Sequence, residues 1–397
     1  MLQPSPTPEA LPFDIGEYRT RQQRVRAAMS ARGIDLLYVS SPSNLCYLSG
    51  YAAIWYPNRL PVGLIIDHAD PAVLFIDWTR HASYVSTRVL CDELLLVDYA
   101  DAVASVAASF AKRGWSKRTI GIEWSSPTPC APVMSALAQR LRDMGCSLLS
   151  GDWLVDQIRL YKSAAELARI RRAAAIADSA LLQLQCDLQP GMTALGVSAH
   201  LAKLLAERGS EIAATPPLVN AGPTAYGDTH ALPGRRSIQP GDVVAVDCCA
   251  VVDRYHANLA RTFAIGRPNA RAAAFLEHAA GSILELQRKA RLGEDPRAAA
   301  ACAERLVREH IPAENIWWIG GYSLGIAFAP SWVGHTYLAN DGLEKCHLHP
   351  GYVSNYENVF LDRKDGFEAA YIDTIVMTEQ GLQILSSLPR GLLPAAG

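Results

Sequence analysis

The sequence is short of several features that define whole classes of protein. Its 37 basic and 39 acidic residues nearly cancel, which gives no electrostatic reason to expect nucleic acid or an anionic membrane as a partner. The opening stretch MLQPSPTPEALPFD has neither the basic nor the apolar part of a secretory signal, and no apolar run is long enough to span a bilayer. We therefore expect a cytoplasmic protein without membrane or nucleic-acid partners.

Cysteine is present, but not in the spacing of a metal site. The nine cysteines show no repeated CxxC pattern, so a zinc site built from thiolates is not expected. Cys248 and Cys249 are adjacent in an apolar stretch. They are candidates for a nucleophile, but a strand this apolar favours buried and inert thiols.

The length of 397 residues exceeds what one compact core usually holds, so two domains are expected. Up to roughly residue 155, helical patterns alternate with short apolar strands, which indicates an α/β domain. Residues 157–188 form a long helical pattern, and we place the boundary near Arg159–Ser163, giving domains 1–158 and 159–397. Long strands separated by hairpin turns, with helices between them, predict an α+β second domain built on an antiparallel sheet.

Two carboxylates interrupt apolar strands of the second domain, Asp247 in VVAVDCCAVV and Glu357 in SNYENVFL. A lone buried carboxylate is costly unless it is paired or hydrogen-bonded, so these residues are candidates for acid/base, nucleophilic or ligand roles. A turn near Val252–Arg254 would bring Asn258 close to Asp247. The alternative for Asp247 is a surface carboxylate on a solvent-facing strand edge.

Two glycine-containing stretches add polar and aromatic candidates. NAGPTAYGDTH ends at Asp228 and His230, and a histidine on a loop is free to act as acid, base or ligand, or is simply solvated. WWIGGYSLGIAFAPSWVGHTYL holds Tyr322, His335 and Tyr337, which either point into one site or pack as a structural loop.

Taken in order, these four stretches resemble the pita-bread fold of creatinase, prolidase and methionine aminopeptidase. The stretch PSNLCYLSGY resembles the N-terminal domain of creatinases and prolidases, so the resemblance spans nearly the whole chain. It implies an α/β N-terminal domain followed by an α+β pita-bread C-terminal domain.

In the metal-dependent members of this family, two aspartates, one histidine and two glutamates bind two divalent ions. By the resemblance, Asp247 and Glu357 stand at two of these positions. The other three positions carry Asn258, Tyr322 and Ile372. Two hard cations need a cluster of anionic oxygens and imidazole, so we expect no metal cofactor. A register shift would offer Asp373 as a further ligand.

The resemblance to the metal-free creatinases and ectoine hydrolases implies a hydrolase that cleaves a C–N bond of a small amidine, guanidino or amide metabolite. It implies that His230 is the general base and acid. Glu357 would hold a cationic substrate or attack it covalently, and Asp247 would share the cation or orient His230. The residues expected to line or support the pocket are Cys248, Asn258, Tyr322, His335 and Tyr337.

In creatinase an N-terminal arginine reaches the substrate across a dimer. The resemblance therefore implies a homodimer in which Arg59 contributes across the interface, with a solvated surface arginine as the alternative. Three other functions stay open: a non-catalytic binding protein like the histone-chaperone relatives, another metal-free reaction on an amino-acid-derived metabolite, and a metal-dependent X-Pro dipeptidase.

Overall fold

The computed structural model describes residues 11–223, 229–339 and 345–395. The chain divides into two units, Met1–Arg159 and Leu160–Gly397, one residue from the boundary predicted from the sequence. Among the described residues, no helix is both long and apolar enough to cross a bilayer.

The N-terminal unit is built on a six-stranded mixed sheet in the order β4-β3-β2-β1-β5-β6. Its strands are β1 (Leu36–Val39), β2 (Gly63–Asp67), β3 (Val73–Trp78), β4 (Glu93–Val97), β5 (Thr119–Ile122) and β6 (Ser147–Ser150). Its helices are α1 (Ile15–Ala31), α2 (Pro42–Ser49), α3 (Ala82–Arg88), α4 (Ala102–Lys112), α5 (Ala131–Asp143) and α6 (Leu154–Arg159). The central strands are buried on both faces, as their continuous apolar runs require.

The C-terminal unit is built on an eight-stranded sheet with the main order β10-β11-β12-β9-β8-β7, to which β13 and β14 add at β12 and β9. Its strands are β7 (Leu218–Ala221), β8 (Val243–Val252), β9 (Tyr255–Ala264), β10 (Ile316–Gly320), β11 (Val353–Asp362), β12 (Phe367–Thr378), β13 (Gly381–Ile384) and β14 (Leu393–Pro394). Its helices are α7 (Ala164–Asp187), α8 (Ala194–Glu207), α9 (Ala270–Lys289) and α10 (Pro296–Arg308). The predicted α/β and α+β organisation is confirmed.

Helix α7 does not continue from α6, although one helical pattern covers both. Ser163 caps its first turn in a capping box, accepting from the Glu166 backbone N–H while the Glu166 carboxylate accepts from Ser163 N–H. These bonds satisfy amides that have no partner inside the helix. The chain therefore begins a new helix just after the boundary between the units.

The two faces of the C-terminal sheet differ, because successive strand residues point to opposite sides. On one face, large apolar side chains such as Tyr356, Phe360 and Tyr371 pack in the main core with residues of α9 and α10. On the other face, a small cluster of Ala245, Ala260, Val359, Ala370 and Ile372 packs against Trp318. We call the first the helix face and the second, on which a cavity opens, the cavity face.

Candidate functional site

A cavity of about 570 Å³ opens on the cavity face. Its lining includes the carboxylates of Asp247, Glu357 and Glu368, the imidazole of His230, and the indoles of Trp317, Trp318 and Trp332. A concave apolar surface with a few convergent polar groups is the usual form of a small-molecule site. The residues of this cavity are therefore the candidate functional site.

The β8–β9 hairpin brings Asp247 and Asn258 together, as the predicted turn required. Asp253 and Arg254 both have positive φ, of 50° and 66°, which suits a tight turn that matches the strand twist. In the resulting register Asn258 lies opposite Cys249, two residues from Asp247 on the same face. The Asn258 side-chain amide donates to Asp247 Oδ1 at 2.6 Å and to the Cys248 carbonyl at 3.2 Å.

Glu357 lies on β11 with two further polar groups held against it. The Asn355 side-chain amide donates to Glu357 Oε1 at 2.5 Å and to Asn258 Oδ1 at 2.8 Å. The Tyr322 hydroxyl donates to the Glu357 carboxylate and accepts from the Trp332 indole N–H at 3.1 Å. One hydrogen-bonded chain therefore joins Trp332, Tyr322, Glu357, Asn355, Asn258 and Asp247.

The glycines before Tyr322 allow its side chain to join this hydrogen-bonded series. A side chain at Gly321 would place its Cβ 2.2 Å from the Asn355 carbonyl oxygen, a distance that no real Cβ tolerates. With glycine there, the Tyr322 backbone N–H donates to Asn355 Oδ1 at 2.8 Å. The stretch GGY thus fixes a tyrosine, rather than a freely moving loop residue, beside Glu357.

The environment disfavours the ionised form of both carboxylates. Burial raises the pKa of Glu357 to about 8, helped by the charge of Asp247 and opposed by the hydrogen bonds from Tyr322 and Asn355. Burial also raises the pKa of Asp247 to about 7, opposed by the hydrogen bond from Asn258. Such raised values favour either proton transfer near neutral pH or capture of a cation.

His230 is exposed and its ring packs edge-on against Trp317, with ring centroids 5.1 Å apart. It lines the cavity, as does Tyr322. An exposed imidazole at the rim of an acidic cavity can exchange protons with solvent and with a bound molecule. Asp228, which precedes it in the same sequence stretch, lies outside the described residues.

Four of the five residues expected to line or support the pocket do not line the cavity. Asn258 supports it by its hydrogen bond to Asp247. His335 and Tyr337 flank the lining residue Thr336, but Tyr337 belongs to the core on the helix face. Cys248 is buried, and strand alternation turns it away from Asp247. Burial raises the pKa of the Cys248 thiol further above its ordinary value, so a reactive thiolate is not favoured there.

Asp373 points away from the cavity, so it does not replace the neighbouring position. Ile372 lines the cavity, and the next side chain along β12 faces the opposite side. There Asp373 pairs with Arg261 at 2.7 Å and accepts from the Tyr371 hydroxyl. Its oxygens are engaged on the helix face rather than turned toward Glu357.

Glu368 is a cavity carboxylate that the sequence reasoning missed. It is 6% exposed and accepts from the Asn220 side-chain amide at 2.8 Å. Its signal in the sequence was its spacing, because Glu368, Ala370 and Ile372 alternate along β12 and so share one face.

Arg59 belongs to the N-terminal unit, where it is exposed on the segment between α2 and β2. Its predicted contribution across a dimer stays a prediction.

Within residues 11–223, 229–339 and 345–395, no group of three or more His, Cys, Asp or Glu side chains is arranged to hold a metal ion. At the five positions where the resemblance implied metal ligands, Asp247 and Glu357 accept from the amides of Asn258 and Asn355. Tyr322 is bonded to Glu357, and Ile372 presents hydrocarbon. These groups do not fit a pair of divalent cations.

Known proteins share this architecture. Residues 168–379 match the family model described as Metallopeptidase family M24, and residues 21–161 match the Creatinase/Prolidase N-terminal domain. The chain is 26% identical to an uncharacterized hydrolase/peptidase of Sinorhizobium fredii and 23% identical to the ectoine hydrolase of Halomonas elongata, each over 96% of this chain and 98% of that protein.

A solved Xaa-Pro dipeptidase from Bacillus anthracis has the same fold, with a TM-score of 0.79 and 20% identity, covering 95% of this chain and 99% of that one. The predicted pita-bread architecture is confirmed by the family models together with this structural match.

Proposed function

Because the chain belongs to metallopeptidase family M24, we propose that it is a hydrolase that has dispensed with the family's metal ions. In this proposal it cleaves a C–N bond of a small amidine, guanidino or amide metabolite. The observation that supports it most directly is the hydrogen-bonded chain from Tyr322 through Glu357 and Asn355 to Asn258 and Asp247.

In this hydrogen-bonded series of side chains, amide N–H groups contact the carboxylates that metal cations would contact in a metal-dependent relative. The Asn258 and Asn355 amides each donate to a carboxylate at 2.6 and 2.5 Å. An amide N–H stabilises a carboxylate only in part, so the pKa values of both carboxylates stay raised. A cationic substrate would satisfy the same oxygens more fully and, by charge-assisted hydrogen bonds, favour their ionised forms.

The relatives support a hydrolase but leave its substrate open. One similar protein carries the name ectoine hydrolase, and similar proteins and structures include Xaa-Pro dipeptidases. The missing ligands favour the metal-free side of this range, because water activation by a metal pair needs ligands that three positions do not supply.

The proposed chemistry uses side chains alone. Glu357 binds the N–H groups of an amidinium or guanidinium and positions its carbon beside a water molecule. His230 takes a proton from that water as the oxygen adds to the carbon, then returns the proton to the departing nitrogen as the C–N bond breaks. The remaining hydroxyl proton passes to the amine as the carbonyl forms. The cation and water thus give a neutral carbonyl compound and a protonated amine, so atoms and charge balance without a co-reactant.

A substrate screen with and without a chelator tests the proposal. The panel holds cyclic amidines, guanidino acids, small amides and Xaa-Pro dipeptides, assayed with wild-type protein and Glu357→Gln. Turnover of a non-peptide compound that survives chelation and is lost in Glu357→Gln is the expected result. Turnover restricted to dipeptides and abolished by chelator would overturn it. Binding without turnover across the panel would favour the non-catalytic alternative.

A gain-of-ligand variant provides the matched control. Asn258→Asp, Tyr322→His and Ile372→Glu together restore an acidic and imidazole ligand set around Asp247 and Glu357. The variant should bind manganese or cobalt tightly in a titration, whereas the wild-type protein should not. Equal metal binding by both proteins would show that the three replaced positions do not decide metal use.

We also propose that the protein is a cytoplasmic homodimer in which Arg59 reaches the substrate of a second copy. The support is the exposure of Arg59 and the resemblance of the N-terminal unit to creatinases and prolidases. Light scattering that shows a monomer at assay concentration would contradict it. A wild-type KM in Arg59→Ala would remove Arg59 from substrate binding.

A further inference from the structure

The cavity has two acidic ends. Asp247 and Glu357 form one end, and Glu368 with Asn220 forms the other. In the register of β11 and β12, Glu357 lies opposite Ile372 and Leu361 lies opposite Glu368. Glu368 therefore lies on β12 four residues before Ile372, the residue opposite Glu357. Four residues of extended strand span about 13 Å.

The surface between the two ends is apolar and aromatic. Val359 and Ala370 pair with each other midway between the two ends, and Trp318 on β10 pairs with Val359. Trp318 packs on this small cluster, and Trp317 beside it also lines the cavity. Tryptophan faces attract cations as well as apolar chains. A ligand lying along the strands would thus cross an apolar floor between two carboxylates.

Glu368 is held in place to meet such a ligand. It is 6% exposed, so burial restricts it, and the Asn220 amide fixes one oxygen at 2.8 Å. Asn220 in turn is positioned on β7, where it pairs with Ala245 of the cavity face. The cavity-lining residues within the described part of the chain include three carboxylates, the imidazole of His230, and no lysine or arginine. This composition favours positive groups over negative ones at either end.

We propose that Glu368 is a specificity-determining residue, and that the substrate carries a second basic group, an amine or guanidine, several bonds from the C–N bond that is cleaved. This inference rests on the proposed function, because Glu357 binds the reacting centre. Glu368 binds the far cation, and Trp317 and Trp318 cover the apolar linker.

Three probes that share a guanidinium and differ at the far end test this assignment. They are 4-guanidinobutan-1-amine, with a terminal ammonium, n-butylguanidine, with a terminal methyl, and 4-guanidinobutanoate, with a terminal carboxylate. Calorimetry on the full chain measures the dissociation constant of each probe. The ammonium probe should bind about tenfold more tightly than the methyl probe, as one charge-assisted bond permits, and the carboxylate probe should bind most weakly.

Variants then assign the preference to a side chain. Glu368→Gln should shrink the ammonium preference to less than about twofold, since a neutral amide cannot pair with ammonium. Glu379→Gln, at an exposed glutamate in the turn after β12, is the matched control and should keep the preference. A preference that survives in Glu368→Gln would overturn the assignment. The wild-type comparison stays decisive if that variant does not fold.

The outcomes separate this inference from the proposed function. If n-butylguanidine binds to wild-type protein, Glu357→Gln abolishes that binding, and the ammonium probe shows no advantage, only the second subsite is overturned. A carboxylate probe that binds best would also overturn the second subsite alone, and it would indicate a cation at the far end. If none of the three binds, the second subsite is overturned, and the wider substrate panel decides the proposed function separately.

Discussion

The same strands carry two buried polar networks, one on each face of the C-terminal sheet. On the helix face, the Arg261 guanidinium pairs with Asp373 at 2.7 Å and donates to Ser386, whose hydroxyl donates to Asp178 of α7. On the cavity face, Asp247 and Glu357 meet only neutral donors among the contacts described above. The two networks differ in charge compensation, because the helix-face network contains its own cation, the Arg261 guanidinium.

That difference separates stability from function. A buried carboxylate with a matched cation has no need of a ligand, whereas one held by amides gains when a cation arrives. The helix-face network fixes the segment after β13 to α7 and the sheet. The cavity-face network is poised to bind or to transfer protons. Changes on the two faces should therefore affect different measurements.

The largest expected effect is on the cavity face. Glu357→Gln should lower kcat/KM by about 1,000-fold or more, because it removes the charge that binds the reacting centre. The melting temperature above neutral pH should not fall, since the variant also removes a buried carboxylate that is costly to ionise. Steady-state kinetics and thermal unfolding check the two halves. A parallel loss of activity and stability would erase the contrast between the faces.

A change on the helix face should have the opposite effect, lowering stability rather than activity. Arg261→Met should lower the free energy of unfolding by about 3 to 5 kcal/mol, because it leaves Asp373 buried without its counter-charge. Activity per folded molecule should stay within about twofold. Urea unfolding and active-site titration measure these quantities. A large loss of kcat in protein that remains folded would show that this network also serves the cavity.

His230→Ala sharpens the account of the cavity face. Steady-state kinetics should show that its activity falls about 100-fold, the usual contribution of a general acid/base. Stability should change little because His230 is exposed. If activity stays within about twofold of wild type, another group is the base, with Asp247 the first to examine.

The smallest expected effect is a pH dependence of stability. The folded-state pKa of Glu357, about 8, lies above its ordinary value of 4.5, so between these values the folded state binds more protons than the unfolded state. The contribution of Glu357 to the free energy of unfolding is therefore full below about pH 4.5. It declines as pH rises toward 8.

Comparison of wild-type protein with Glu357→Gln isolates this contribution. Between pH 6 and pH 8, the variant should gain roughly 2 kcal/mol of stability relative to wild type. Denaturant unfolding at both pH values measures the difference. A constant difference would show that Glu357 is ionised throughout that range, and the cavity face would then resemble the helix face.

Much of the fold followed from local pattern. Alternation and turn residues predicted the β8–β9 hairpin, and with it the contact between Asn258 and Asp247. The continuous helical pattern over 157–188 did not reveal the break before Ser163, because a capping box starts a new helix without changing hydrophobic periodicity.

The site was harder to predict, because the sheet face on which a side chain lies depends on strand register. Asp373 and Ile372 are neighbours in sequence, yet only the paired strands show that Ile372 faces the cavity. Glu368 was missed for the same reason, since its meaning depends on alignment with β11 and on Asn220 from a distant strand. His335 and Tyr337 follow an irregular segment whose course local pattern does not set.

The most direct test of the account is the metal content of purified wild-type protein, measured by elemental analysis together with activity in chelator. The account predicts fewer than about 0.2 divalent ions per chain, since a built metal pair would be near stoichiometric, and full activity after chelation. Near-stoichiometric manganese, cobalt or zinc, with activity lost on chelation and restored by the metal, would contradict it.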